Sequence, residues 1–137
     1  MKNMTVVMPN FVKRNGLINV VVQDICTLEV LMVAFTDRLG FLETLKTGYG
    51  VFYSTSPERI GRWKKGETSG STQIVHRVKV DCDGDSVIYF VTQNGTGACH
   101  TGNRTCFSRS VTDLSTDNLD DLAVEIHEVC DGIVNGG

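Results

Sequence analysis

The sequence lacks any apolar run long enough to cross a bilayer. Its longest apolar region, Leu17 to Phe35, is broken by Gln23, Asp24 and Glu29. It also lacks a basic tract. No run of Lys and Arg exceeds Lys64-Lys65, and the net charge is -3, so nothing here draws nucleic acid electrostatically. No continuous apolar segment follows the first positive charge, which speaks against a secretory signal. Internal repeats, low-complexity tracts and Pro/Gly/Ser linkers are absent, so 137 residues read as one domain. With 41% hydrophobic and 21% charged residues, the balance is that of a globular chain, which excludes intrinsic disorder. These absences predict a cytoplasmic protein with neither membrane nor nucleic acid as partner.

Five cysteines are present. An odd number in a reducing compartment does not make a disulfide framework, so some of these thiols are explained by burial or by metal. A domain this short buries a modest core, to which a bound metal or a partner subunit would add stability.

The hydrophobic pattern predicts an α+β fold in which β dominates. Leu17–Val22 and Val30–Phe35, separated by the polar Gln23–Glu29, read as a hairpin or neighbouring strands. Asp37 can cap a short helix carrying Leu39, Leu42 and Leu45, with Gly48 at its stop. Val51–Tyr53, Gln73–Val80 and Val87–Val91 are further strands, while Arg62–Ser71 and Gly95–Gly102 are loops. Leu119, Leu122, Ala123, Ile126, Val129 and Ile133 recur at helical spacing behind Asp117, Asp120 and Asp121, which suit a helix start. Residues 1–110 then form the catalytic part and 111–137 a C-terminal amphipathic helix of the same domain.

Chemistry concentrates in three blocks. In Asp81-Cys82-Asp83-Gly84-Asp85, continuing the preceding strand would put the three aspartates on one face and Cys82 on the other. Converging carboxylates need a cation, and hard oxygen donors suit Mg²⁺, whereas the thiolate suits a softer ion such as Zn²⁺. Equally, Asp-Gly between two apolar strands is a hairpin-turn signal. The second block, Ala98 to Phe107, holds Cys99, His100 and Cys106. Its Cys-x6-Cys spacing is not that of a zinc ribbon. Joined by Cys82, it offers three thiolates and one open position, the ligand count of a catalytic zinc site, with His100 as general base or proton shuttle. The third block, Arg62 to Gln73, mixes cations, hydroxyls and glycines that suit a phosphorylated ligand, although a solvated loop has the same composition.

Together, WKKGETSG (Trp63–Gly70), DCDGD (Asp81–Asp85) and GACHTGNRTCF (Gly97–Phe107) closely resemble the phosphoribosyl-AMP cyclohydrolase family of histidine biosynthesis in order and spacing. GLINVVVQD (Gly16–Asp24), EVLMVAF (Glu29–Phe35) and VFYS (Val51–Ser54) are similar to the same family. The resemblance implies twisted antiparallel sheets with short helices in an intertwined homodimer whose active sites lie between subunits. It implies Zn²⁺ on Cys82 of one subunit and on Cys99 and Cys106 of the other, and Mg²⁺ on Asp81, Asp83 and Asp85. The implied reaction is hydrolysis of the N1–C6 bond of the adenine ring of phosphoribosyl-AMP by a zinc-activated water, with His100 catalytic. The residues expected to bind substrate are Trp63, Lys65, Glu67, Thr68, Ser69 and Arg104.

The chain departs from the family in places. Ser71 stands where many members carry His, and Thr55–Arg62 differs in length and content from the usual Arg-rich connection. The tail is too short for the pyrophosphohydrolase domain often fused to this enzyme, so one activity is expected. A zinc nucleobase deaminase is disfavoured, since no H-x-E with a downstream P-C-x-x-C occurs. A structural zinc module would need a fourth ligand, for which only His100 is near. Cys26, Cys130, His76 and His127 read as residues without a metal role.

Overall fold

The computed structural model describes residues 7–111; the amphipathic segment near the C-terminus lies outside them. Six strands form one sheet: β1 (Leu17–Asp24), β2 (Val30–Asp37), β3 (Val51–Ser54), β4 (Gly61–Lys64), β5 (Gln73–Val80) and β6 (Ser86–Gln93). Their spatial order is β4-β3-β2-β1-β6-β5. One helix, α1 (Arg38–Thr47), links β2 to β3. The strand-rich class is as expected, but two details differ. The sheet is mixed rather than antiparallel, because β1 and β6 run parallel, Val20 beside Val87 and Val22 beside Tyr89. This pair is distant in sequence, so no local turn signals its direction. Second, Gly61–Lys64 is a strand and not the start of a loop; it pairs with β3, Phe52 opposite Trp63. Four residues ending in two lysines give too little alternation to read as a strand alone, and the neighbouring β3 edge supplies the pairing.

The core lies on one face. Ile18, Val20 and Val22 of β1 and Val87, Tyr89 and Val91 of β6 alternate inward and are almost wholly buried. Each such side chain contributes about 1.5–3 kcal/mol relative to an exposed one. The helix covers part of this face through Phe41, whose ring meets those of Phe11 and Tyr89 at 5.8 and 6.4 Å. Asp37 is the N-cap, accepting from the Gly40 amide at 2.9 Å, a cap worth about 1 kcal/mol. Gly48 closes the helix where the sequence placed it. The leucines, however, point the other way. Leu39, Leu42 and Leu45 are exposed, while Gly40, Phe41 and Thr44 are buried. Thr44 earns its place by hydrogen bonds from its hydroxyl to Gly40 and from the Val51 amide to that hydroxyl at 3.0 Å.

Candidate active site

Two loops meet beside the Trp63 strand. The first, after β4, turns back at Gly66: φ is +78°, and an added Cβ would lie 2.2 Å from the Ser71 carbonyl carbon, so only glycine lets the chain return here. The second, residues 95–106, closes at Gly97 in the same way, its would-be Cβ 2.3 Å from the Asn103 oxygen. Ser71 joins the two. It is buried, its hydroxyl accepts from the Thr96 amide at 3.3 Å, and its carbonyl accepts from Gln93, which also binds buried Gln73 at 2.8 Å. Where many relatives were expected to carry His, this chain has a buried strut between loops.

Backbone bonds from Ala98 to Arg104 and from Cys99 to Asn103 fold the second loop into a tight hairpin, and the Cys106 amide donates to Leu31 of β2 at 2.8 Å. Cys99 and Cys106 thereby become neighbours. Their environments differ. The Thr101 hydroxyl, 2.9 Å from the Cys99 sulfur, pulls that thiol below its usual pKa, whereas burial and the adjacent Cys99 push Cys106 up. Lys65 stands near both: burial pushes its ammonium down, and the two thiols work against that.

A cavity of about 250 Å³ is lined by Trp63, Lys65, Glu67, Thr68 and Ser69, together with Cys99 and His100. A second of about 340 Å³ is lined by Cys106, His100, Trp63 and Lys65, with Met32 and Val33. Five of the six expected substrate contacts thus converge on the thiols and the histidine. Arg104 does not. Its guanidinium binds Asp24 at 2.6 Å and Glu29 at 2.8 Å and lines neither cavity; it fastens the thiol loop to the β1–β2 hairpin. Conversely, Arg59 lines both cavities and was not singled out from sequence, because it sits in the divergent Thr55–Arg62 stretch. Nearby cations are engaged elsewhere: Arg62 binds Asp37 at 2.9 Å and the Lys64 ammonium lies 4.3 Å from the centre of the Tyr49 ring.

The aspartate block is a turn whose carboxylates converge. Residues 81–85 are the turn between β5 and β6, and not a continued strand. Asp81 accepts from the Asp85 and Ser86 amides at 3.1 and 3.2 Å, and the three carboxylates still converge, with one oxygen from each within 4.8 Å of the others. Among the described residues this is the sole group of three candidate metal ligands; Cys82, exposed on the same turn, does not join Cys99 and Cys106 within one chain. Two neighbours of the turn escaped the sequence reading. Lys13 lies 2.6 Å from Asp83, and Arg14 lies 2.7 Å from Asp85. His76 lies 2.7 Å from the Thr92 hydroxyl on the sheet.

Residues 32–108, more than half of the chain, match the family model for phosphoribosyl-AMP cyclohydrolase. This chain belongs to that family. It is 48% identical over 103 residues to the phosphoribosyl-AMP cyclohydrolase of Desulfotalea psychrophila, covering 74% of this chain and 80% of that one. It is 52% identical over 101 residues to that of Rhodococcus erythropolis, covering 72% and 85%. A histidine biosynthesis bifunctional protein of Aquifex aeolicus is 50% identical over 96 residues, 70% of this chain but 46% of its own length. The cyclohydrolase match spans both cavities, the thiol loop and the aspartate turn. Lys13 and Arg14 precede the residues that the family model matches.

Proposed function

We propose that this chain hydrolyses the N1–C6 bond of the adenine ring in phosphoribosyl-AMP, yielding the formimino carboxamide ribonucleotide of histidine biosynthesis. The observation that carries this reading is the convergence of Cys99, Cys106, His100, Lys65 and Trp63 on two adjoining cavities. Ribosylation at N1 makes the ring cationic and C6 electron-poor. Water adds at C6, the bond to N1 breaks, and N1 keeps the electron pair. On this reading the His100 imidazole, which lines both cavities, takes the proton from that water and passes it on. Trp63 offers a face for the purine. Lys65, Arg59 and the hydroxyls of Thr68 and Ser69 face the anionic phosphates.

The donor chemistry fits two metals. Paired soft thiols suit Zn²⁺, which when bound brings the pKa of water towards neutrality. Three hard carboxylate oxygens suit Mg²⁺. The thiol pair is one sulfur short in a single chain, and Cys82 is exposed on a turn. We assign the third sulfur to Cys82 of a second copy, in a homodimer whose sites lie between subunits. The exposed apolar side chains Val33 and Phe107, beside Cys106 in space and in sequence, are surface such a partner would cover.

The test is direct. Purified full-length protein supplied with Zn²⁺ and Mg²⁺ converts phosphoribosyl-AMP to the ring-opened product, followed by absorbance. Folded, zinc-loaded protein that leaves this substrate intact would overturn the reading.

A further inference from the structure

Three carboxylates meeting in a five-residue turn repel one another, and in this chain the N-terminal turn supplies the compensation. The Lys13 ammonium is 2.6 Å from Asp83 Oδ2 and 3.6 Å from Asp85 Oδ2. Arg14 donates through Nε to that same Asp85 oxygen at 2.7 Å. The Asp85 side chain is only 4% exposed, so its charge would be costly without a partner. These contacts are not chance meetings of flexible side chains. Asn10 donates its amide to the Gly84 carbonyl at 2.7 Å, and its side-chain oxygen accepts from the Val12 and Lys13 amides at 3.0 and 3.2 Å. Phe11 anchors the same turn on the core ring of Phe41. The backbone that carries both cations is thus tied to the aspartate turn itself.

We propose that Lys13 sets the affinity of the Asp81–Asp83–Asp85 cluster for a divalent cation, by holding the carboxylates as an internal counter-ion that the metal must displace. The inference rests on the reading of this cluster as a hard-cation site. Two physical terms act in one direction. Without metal, the ammonium stabilises the carboxylates and lowers the free energy of the metal-free state. With metal, it competes for Asp83 Oδ2, or stays nearby as a like charge. Arg14 plays a different part. It engages buried Asp85 alone, so it keeps that carboxylate aimed when Lys13 leaves. Lys13 is 40% exposed at its side chain and free to swing into water, whereas Asp85 is not. Metal binding becomes an exchange of cations, and the cluster is never left with three uncompensated charges.

The experiment compares wild-type protein, Lys13→Gln and Lys13→Arg, full length, by calorimetric titration with Mg²⁺ and by the free Mn²⁺ resonance signal as Mg²⁺ competes. Lys13→Gln should bind Mg²⁺ roughly tenfold more tightly than wild type, the worth of one partly screened charge beside a dication. Lys13→Arg, which keeps the charge, should bind like wild type. In chelator, Lys13→Gln should melt below wild type, and saturating Mg²⁺ should raise its melting temperature by the larger increment. Equal or weaker Mg²⁺ binding by Lys13→Gln overturns the proposal. So does tightening by Lys13→Arg as large as that by Lys13→Gln, since charge would then not be the cause. Wild type that binds no divalent cation removes the hard-cation reading and this proposal together, whereas turnover of phosphoribosyl-AMP by that same protein would leave the proposed activity standing.

Discussion

The aspartate turn and the thiol loop both gather metal-binding side chains, yet they reach charge balance in opposite ways. The aspartates draw two cations from their own chain, Lys13 and Arg14 just ahead of β1, and the cluster is whole within one molecule. The thiols have no such internal completion. Cys99 and Cys106 are paired, Cys82 is elsewhere, and the cations facing their cavities, Arg59 and Lys65, make no ion pair among the described residues. One cluster is complete within the chain, whereas under the proposed function the other would be finished from outside, by a second chain, a metal and an anionic substrate. Local hydrogen bonds can assemble a five-residue turn. They cannot bring together sulfurs that sit on opposite ends of the sheet's connections.

The sharpest way to break this contrast is subunit complementation. Cys82→Ser and Cys106→Ser proteins should each have no detectable turnover and lose zinc. Mixed and refolded together, they should regain activity, because a mixed dimer holds one intact site, with Cys82 from one chain and Cys99 and Cys106 from the other. No recovery in demonstrably mixed dimers would mean that the sulfurs gather within one chain, or not at all.

A smaller effect is expected at the cavity mouth. Arg59→Gln should raise KM for phosphoribosyl-AMP about tenfold, the scale of one charge-assisted hydrogen bond, and leave kcat within about twofold. A fall in kcat at unchanged KM would place Arg59 in the chemistry and not in binding.

The smallest effect concerns the fastening of the thiol loop. The Thr27 and Cys26 amides, with Arg104, hold the Asp24 carboxyl below its usual value of 3.8. A depressed folded pKa gives stability that is complete above the unfolded value and disappears as pH falls through the folded one. Stability from this tie should therefore be constant from neutral pH down to the ordinary carboxylate range and decline below it. Asp24→Asn should be less stable than wild type at neutral pH, with the gap narrowing in acid. Chemical denaturation at several pH values measures this, and a gap that widens in acid would contradict it.

Much of this was legible in the residues. Strands β1, β2, β5 and β6 announced themselves by alternating β-branched side chains, and α1 by its cap and its glycine stop. The cavity-lining block was legible too, since Trp63, Lys65, Glu67, Thr68 and Ser69 are close in sequence and so remain close in space. Failures share a cause. The leucines of α1 pattern as a buried stripe, but the position of the helix on the sheet buries Phe41 and Thr44 instead. Arg104 lies within the Gly97–Phe107 motif, yet its side chain turns to Asp24, eighty residues away. Lys13 and Arg14 gave no signal, because ion pairs seventy residues apart leave no local pattern.

Residue types alone thus settled which donor groups are present: soft sulfur, hard carboxylate, imidazole, and a loop of cations and hydroxyls. That follows because donor character belongs to the side chain wherever the backbone carries it. Partnership was left to the folded chain. The parallel pairing of β1 with β6 puts the β5–β6 turn beside the residues entering β1, where the Asp85 carbonyl accepts from the Asn19 amide at 3.0 Å. Only that long-range pairing, stabilised by burial of the shared core face, turns Lys13 into a rival of a metal ion.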